Sequence, residues 1–293
     1  MEIADCGLEP PKSAIANHKS PITNRQSQIA NLDQSAIRNQ QSTILLPHLS
    51  PVQWLLAFIA ALGIGMSKSG LAGMSLVQVL IFAFLFGARE STGVLLPMLL
   101  VGDVCAVSIF HQHARWSYVR RMLPPACVGV VIAAIAMRWL NEAVYKPIIG
   151  VIILSLTVLQ VMRSVRPQWF NNVPHARWFT WTVGLVAGAA TMLANAAGPV
   201  FTIYCLAVSL PKFELVGTSA WFFFIINSFK IPFSIALGLI HGRTLLLNAI
   251  LSPAILSGIF IGRWLTAHIP QRLFDGLLLA FAFAAALRLV GLL

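Results

Sequence analysis

The chain has 293 residues, of which 58% are hydrophobic and only 10% are charged, and its mean hydropathy is +0.81. A soluble domain carries roughly 25% charged residues, so the composition excludes an ordinary soluble protein and predicts an all-α polytopic membrane protein. The net charge of +11 does not indicate nucleic-acid binding, because the arginines lie mostly at the ends of apolar segments, which is the positive-inside pattern. The four cysteines lack zinc or disulfide spacing, and we expect no metal and no cofactor.

The first 50 residues differ in character from the rest. The pattern Ser-x-Ile-x-Asn recurs four times between Ser13 and Asn39, with one apolar position per repeat. A coiled coil needs two apolar positions per heptad. We therefore interpret residues 1–50 as a disordered low-complexity tail or an over-extended reading frame. No apolar core typical of a signal peptide follows the early charges, so we expect insertion to be directed by the uncleaved segment near Trp54.

The rest of the chain predicts about eight to ten hydrophobic helical segments. In the first half the apolar stretches span roughly 52–64, 74–86, 91–110, 122–140 and 144–162; in the second half they span roughly 178–193, 198–210, 216–238, 245–267 and 271–292. The first two of each half reach only about 20–24 Å as helices, which is less than the roughly 30 Å hydrocarbon core. They predict short broken or re-entrant arms.

The two halves carry matching motifs, which indicates an internal duplication. Ser91-Thr92-Gly93 lies opposite Gly217-Thr218-Ser219, and His113-Ala114-Arg115 lies opposite His241-Gly242-Arg243. We expect a first transmembrane repeat at 51–165, a cytoplasmic linker at 166–177 and a second repeat at 178–293. The number of crossings in each half leaves inverted and parallel repeats open, and we favour inverted repeats.

Two interruptions of the apolar pattern lie at matching places in the two halves. The first runs from Gly65 to Gly73 and the second from Ala194 to Pro199. Broken helices at corresponding positions are a sequence indicator of a transporter's binding site. Unwound backbone at membrane depth is tolerated only where protein or a water-filled cavity covers it. The pattern therefore favours transport over catalysis.

Ordered motifs across residues 52–292 resemble the TauE/SafE sulfite exporter family. In the first half they are Ser67-Lys68-Ser69-Gly70, Glu90-Ser91-Thr92-Gly93-Val94-Leu95-Leu96-Pro97-Met98 and Gly102-Asp103; in the second half they are Ala194-Asn195-Ala196-Ala197-Gly198-Pro199, Val216-Gly217-Thr218-Ser219-Ala220-Trp221-Phe222-Phe223, Ile226-Asn227 and Lys230-Ile231-Pro232. The resemblance implies a multi-pass transporter of the bacterial cytoplasmic (inner) membrane. It also implies a substrate among the sulfur-containing or organic anions.

The first set of candidate substrate-binding residues lies in the two interruptions. Lys68 is either a cation facing an anionic substrate or a lysine that extends to the membrane surface. Asn195 either donates its amide to an oxyanion or only caps the following arm. Small residues that would allow close backbone approach complete this set: Ser67, Ser69, Gly70, Gly73 and Gly198.

The second set lies in the third span of each half. Asp103 is the candidate proton carrier, and Lys230 is a second candidate cation for the anion. The alternative is a buried ion pair between the repeats, or a structural charge near the end of the span. Asn227 and Thr218 are further substrate-binding candidates, although Thr218 is also well placed to cap a helix.

The resulting hypothesis is a secondary transporter that exports or imports a small anion, a sulfur oxyanion or an organosulfonate or organic acid, by alternating access between the two repeats. A passive anion channel is the alternative. An intramembrane enzyme is disfavoured, because the sequence has no His-Glu-x-x-His motif and its histidines lie near segment ends. The expected partners are a small anionic substrate and the lipid bilayer, with no nucleic acid. The sequence leaves a homo-oligomer open.

Overall fold

The structure, a computed structural model, describes residues 49–69, 71, 74–166, 177–208, 210–268 and 283. These residues form nine α-helices and one 3-10 turn, with no strand among them. The helices are α1 (Pro51–Lys68), α2 (Met74–Phe86), α3 (Glu90–Phe110), α4 (Trp116–Met137), α5 (Glu142–Val165), α6 (Arg177–Ala194), α7 (Gly198–Ala207), α8 (Lys212–Ala236) and α9 (Gly242–His268), and the 3-10 turn (His111–His113) follows α3.

Six of these helices, α1, α3, α4, α5, α8 and α9, are long and apolar enough to cross a membrane. The predicted all-α polytopic membrane fold is therefore confirmed. Helix α2 covers 13 residues and α7 covers 10, so both are short, as the sequence predicts. The predicted short first arm of each half is wrong, because α1 and α6 each cover 18 residues. The expected tail at 1–50 lies, except for its last two residues, outside the described residues. The predicted segment at 271–292, apart from Phe283, also lies outside them.

Helix α1 begins with a capping box, in which the Ser50 N–H donates to Gln53 Oε1 at 2.9 Å and the Gln53 N–H donates to Ser50 Oγ at 3.3 Å. Pro51 occupies the first turn, where no backbone donor is needed. The helix continues through Lys68 to a cap at Ser69. The predicted interruption therefore starts four residues too early, because residues 65–68 are still helical.

Helix α6 ends at the second interruption for a local backbone reason. Asn195 adopts φ 51°, and it is the one residue other than glycine with a positive φ among those the structure describes. Asparagine tolerates this left-handed conformation better than most residues. The turn directs the chain through Ala196 and Ala197 into α7, as the sequence predicts.

Helices α1 and α9 pack with their backbones in close contact. A Cβ on Gly65 would lie 2.0 Å from the Ile255 carbonyl oxygen, and a Cβ on Gly258 would lie 2.2 Å from the Leu62 carbonyl oxygen. Small residues allow such close crossings between membrane helices. The hydrophobic effect does not drive helices together in lipid, so their association depends on close van der Waals packing. Glycine is therefore required at this crossing. The crossing joins the first half of the chain to the second.

Helices α4 and α6 form a second pair of the same kind. A Cβ on Gly129 would lie 2.2 Å from the Leu185 carbonyl oxygen, and a Cβ on Gly188 would lie 2.0 Å from the Ala126 carbonyl oxygen. Helix α4 is the fourth helix of the first half, and α6 is the first helix of the second half. In the other pair, α1 is the first helix of the first half and α9 is the fourth helix of the second half. The two pairs therefore have the same relation with the halves exchanged.

Helices α3 and α8 cross between these pairs and run antiparallel. The start of α3 meets the end of α8, because a Cβ on Gly93 would lie 2.0 Å from the Leu239 carbonyl oxygen. The end of α3 meets the start of α8, because Arg115 forms a two-point ion pair with Glu214 at 2.6 and 2.7 Å. Inverted repeats would place these two helices antiparallel, and the repeats themselves stay a prediction from the sequence.

The α1–α9 crossing predicts that alanine substitution at two neighbouring glycines lowers the free energy of unfolding by different amounts. Gly65→Ala places a methyl group against backbone and should lower the free energy of unfolding by about 1–3 kcal/mol. Gly63→Ala is the matched control, because its Cβ would meet the mobile end of the Met74 side chain. Thermal unfolding in detergent should show a lower Tm for the first variant than for the second; equal values would contradict the close crossing.

The antiparallel arrangement of α3 and α8 predicts which helix ends share a membrane face. We expect single cysteines at Gln112 and Phe213, on a background without native cysteines, to react with an impermeant maleimide from one side. Single cysteines at Glu90 and His241 should react from the other side. The measurement is labelling of sealed, oriented vesicles before and after permeabilisation. Labelling of all four from one side would exclude the arrangement.

Candidate functional site

The two helix interruptions meet in the structure. A Cβ on Gly198, the first residue of α7, would lie 3.2 Å from the Ser75 hydroxyl at the start of α2. The amino-terminal ends of the two short helices are therefore neighbours. Free N–H groups and the helix dipole give each amino terminus a partial positive charge. This is the place at which the sequence pattern predicts a binding site.

Around the interruptions lies a group of polar side chains that we name the polar cluster: Lys68, Asp103, Thr191, Asn195, Asn227 and Lys230. Asp103 on α3 is fully buried, and both of its carboxylate oxygens have partners. Lys68 Nζ lies 2.6 Å from Oδ1, and Asn227 Nδ2 donates to Oδ2 at 2.7 Å. The cluster therefore draws residues from both halves of the chain.

Lys230 on α8 is also buried, with 2% of its surface exposed. Its ammonium donates to the Thr191 carbonyl oxygen at 2.7 Å and to Asn195 Oδ1 at 2.5 Å. The Thr191 hydroxyl oxygen at 3.1 Å and Asn227 Oδ1 at 3.4 Å complete its surroundings. The ammonium thus lies at the carboxyl-terminal end of α6, where the helix dipole favours a cation.

The side-chain amide of Asn195 makes hydrogen bonds to residues of both halves. Its Oδ1 accepts from Lys230, and its Nδ2 donates to the Thr92 carbonyl oxygen on α3 at 3.0 Å. The left-handed backbone at this residue turns the chain between α6 and α7. The same residue therefore shapes the interruption and fixes its position against α3.

The central contacts recur at matching positions in the two halves. Lys68 and Asp103 pair in the first half, and Asn195 and Lys230 pair in the second half, at positions 127 residues further on. In the first pair the cation lies at the interruption; in the second pair it lies on the long helix. The two halves thus place one polar contact at the same location with the roles of donor and acceptor exchanged.

The polar cluster carries more positive than negative formal charge. Its ionisable side chains are two lysines and one aspartate, which give a sum of +1 when all are ionised. The side chain of Lys68 is 12% exposed, and Asp103 is the one oxygen partner that the described part of the chain supplies to its ammonium. The ring centroid of Phe223 lies 5.0 Å from Nζ, within the range of a cation–π contact. Among the described residues, Lys68 thus has one oxygen partner for its three ammonium donors.

Most of the predicted site residues lie together. Lys68, Asp103, Asn195, Asn227 and Lys230 belong to the polar cluster, and Gly198 lies beside it at the start of α7. The predicted alternative of a buried ion pair between the repeats is not what the structure has, because Asp103 pairs with Lys68 of its own half. Neither reading of Lys230 alone describes its position, because its contacts are neutral oxygens.

Other predicted site residues are placed differently. The Ser67 and Ser69 hydroxyls donate to carbonyl oxygens of their own helix, at 2.7 and 2.8 Å. Thr218 accepts from the Arg115 N–H at 3.0 Å and lies about 18 Å along α8 from Lys230. It lies inside α8 and not at its start, so it does not cap that helix, and it is remote from the polar cluster. Gly70 and Gly73 lie outside the described residues.

Sequence reasoning missed two members of the site. Thr191 was not a candidate, although it precedes Asn195 by four residues and so lies on the same face of α6. Phe223 precedes Lys230 by seven residues on α8 and reaches Lys68. Helical spacing from an already chosen polar residue would have identified Thr191. The contact between Phe223 and Lys68 depends on how two distant helices pack, so no local signal identifies it.

The comparison with known families accords with this geometry. Residues 57–289 match the family model described as Sulfite exporter TauE/SafE. The chain belongs to this family. No curated protein and no solved structure gives a significant match. Membership in the TauE/SafE family identifies a multi-pass membrane transport protein and agrees with the six helices able to span a bilayer.

The ion pair predicts a strong coupling between its two partners. Asp103→Asn or Lys68→Met alone leaves one charge without its partner at membrane depth and should lower the free energy of unfolding by about 3 kcal/mol. The double variant removes both charges, so its loss should be clearly smaller than the sum of the two single losses. Unfolding of the purified variants in mixed detergent measures these values, and additive losses would contradict the pair.

Proposed function

We propose that the protein is a secondary transporter of a small anion, a sulfur oxyanion or an organosulfonate, in the bacterial cytoplasmic membrane. Family membership supports transport of sulfur-type anions as the class of function. The excess positive charge of the polar cluster supports an anionic substrate. The proposed binding site lies where the interruptions of the two halves meet.

The observation that carries this proposal is the position of Lys68. A lysine at the centre of a membrane helix costs about 2.5–3.5 kcal/mol on insertion scales. Lys68 nevertheless lies at the interruption, with its side chain 12% exposed and its ammonium paired to one carboxylate. Within the described part of the chain, this carboxylate is the one oxygen partner of an ammonium that carries three donors. We assign the anion to this ammonium.

The short helices supply the second attraction for an anion. The starts of α2 and α7 lie against each other at Ser75 and Gly198. Each amino terminus carries roughly half a positive charge, and paired half-helices in transporters direct such ends toward anionic groups. The carboxyl-terminal ends of α1 and α6, which have the opposite polarity, carry Lys68 and Lys230 beside them. The neighbourhood therefore favours negative charge.

Asp103 is the proposed proton-coupling group. Its carboxylate holds the Lys68 ammonium at 2.6 Å, so an anion that approaches Lys68 competes with Asp103. Protonation of Asp103 would remove this competition and leave the ammonium to the substrate. In this proposal, anion binding and the charge of Asp103 are therefore linked through Lys68.

The proposed transport step is alternating access. The glycine crossings join α1 to α9 and α4 to α6 with backbones in direct contact, and each pair contains one helix from each half. We therefore assign the moving bodies to these mixed pairs, whereas the sequence hypothesis assigned them to the two repeats themselves. Helices α3 and α8, which carry Asp103, Asn227 and Lys230, lie between them.

Counterflow in proteoliposomes tests the proposal. A thermal-shift screen of sulfite, thiosulfate, sulfate, sulfoacetate and acetate first selects the anion that most stabilises the purified protein. Wild-type protein should then show saturable counterflow of that anion. Lys68→Ala should lower the initial rate by roughly 10- to 100-fold, because it removes a charged hydrogen bond to the ligand. Asn195→Ala should lower the rate as well, because it removes the contacts that hold the second interruption against α3 and Lys230.

Lys146→Ala is the matched control, because it removes an exposed lysine from α5, away from the polar cluster. It should retain wild-type counterflow. Wild-type rates in both Lys68→Ala and Asn195→Ala would contradict the proposed site. Anion flux that neither saturates nor shows counterflow would identify a passive channel in place of a carrier.

A further inference from the structure

The two lysines of the polar cluster differ in how many of their donors are engaged. An ammonium carries three N–H donors. Lys230 is 2% exposed and has four oxygens within 3.4 Å, so each donor already has a partner within the protein. Lys68 has one oxygen partner among the described residues. Lys230 therefore has no donor left for a substrate.

We name the surroundings of the Lys230 ammonium the oxygen cage: the Thr191 carbonyl and hydroxyl oxygens, Asn195 Oδ1 and Asn227 Oδ1. All four oxygens come from neutral groups. The Thr191 carbonyl lies in the last turn of α6. Its oxygen already accepts from the Asn195 N–H at 3.0 Å, so the Lys230 ammonium is its second donor.

The four oxygens of the oxygen cage would suit a monovalent cation. Unwound backbone carbonyls and the carboxyl-terminal ends of broken helices coordinate coupling cations in other transporter folds. Carbonyl, hydroxyl and amide oxygens without a carboxylate provide dipoles and no formal charge, which matches a single positive charge. Here the space is filled by the end of a side chain that α8 supplies.

We infer that the Lys230 ammonium is a built-in cation that occupies a monovalent-cation site at the end of α6. Two consequences follow. The wild-type protein needs no sodium or potassium ion at this place, and a variant that lacks the Lys230 side chain contains an open site for a small ammonium ion. The inference deepens the proposed function by separating the roles of the two lysines: Lys68 contacts the anion, and Lys230 holds the second interruption in shape.

Thermal unfolding of the purified full-length protein tests the site without any transport measurement. Lys230→Ala removes the side chain from Cγ to Nζ, and n-propylammonium replaces those atoms. Lys230→Met is the matched control, because it also removes the charge but fills the space with an apolar chain. Both variants are extracted and purified in parallel with choline chloride, sodium chloride, ammonium chloride or n-propylammonium chloride at equal ionic strength.

In choline chloride we expect both variants to melt about 5–10 °C below the wild type. Ammonium or n-propylammonium should restore at least half of the lost Tm of Lys230→Ala, with saturation, and should leave Lys230→Met unchanged. The Tm of the wild type should be the same in choline and sodium chloride. Equal responses of the two variants to amines would overturn the inference, and so would a saturable sodium dependence of the wild type.

The experiment still tests the cation site if a variant does not fold. Recovery of folded Lys230→Ala only when n-propylammonium is present during extraction supports the cation site. Failure of Lys230→Ala in every salt, while Lys230→Met folds, overturns it. Because the readout is stability, absence of anion counterflow in the wild type would contradict the proposed function and leave this result unaffected.

Discussion

The architecture depends on how charges at membrane depth obtain partners. Asp103 is fully buried and Lys230 nearly so, and hydrocarbon offers neither of them hydrogen bonds. Their partners come from three helices: Lys68 from α1, Thr191 and Asn195 from the end of α6, and Asn227 from α8. Removing any one of these helices leaves a charge without its partners. The polar cluster therefore ties the two halves together more specifically than apolar packing could.

Close helix crossings give the cluster its setting. Gly65 and Gly258 bring the α1 and α9 backbones together, and Gly129 and Gly188 do the same for α4 and α6. Polar groups in a membrane interior need rigid surroundings, because a displacement of about 1 Å breaks a hydrogen bond. The glycine crossings and the ion pair thus hold the same arrangement of helices in place. Substrate movement must reconcile this rigidity with access from two sides.

Much of this arrangement was predictable from sequence. Apolar periodicity located the nine described helices, and the two interruptions identified Lys68 and Asn195 as neighbours of a site. The end of α1 was misplaced, because Gly65 and Ser67 weaken a helix locally, whereas Gly65 packs closely against α9. For Asp103 the sequence offered an ion pair between the repeats, but its partner is Lys68 of the same half. That choice depends on how α1, α3 and α8 cross in three dimensions.

The exchanged pairing of helices has a consequence for synthesis of the protein. Helix α1 leaves the ribosome early, but its glycine partner α9 follows only near the end of the chain. At about 5–20 residues per second, the first helix spends on the order of 10–40 s in the bilayer with its glycine face unmatched. Biogenesis must therefore shelter that face, against lipid or the insertion machinery, until α9 has been synthesised.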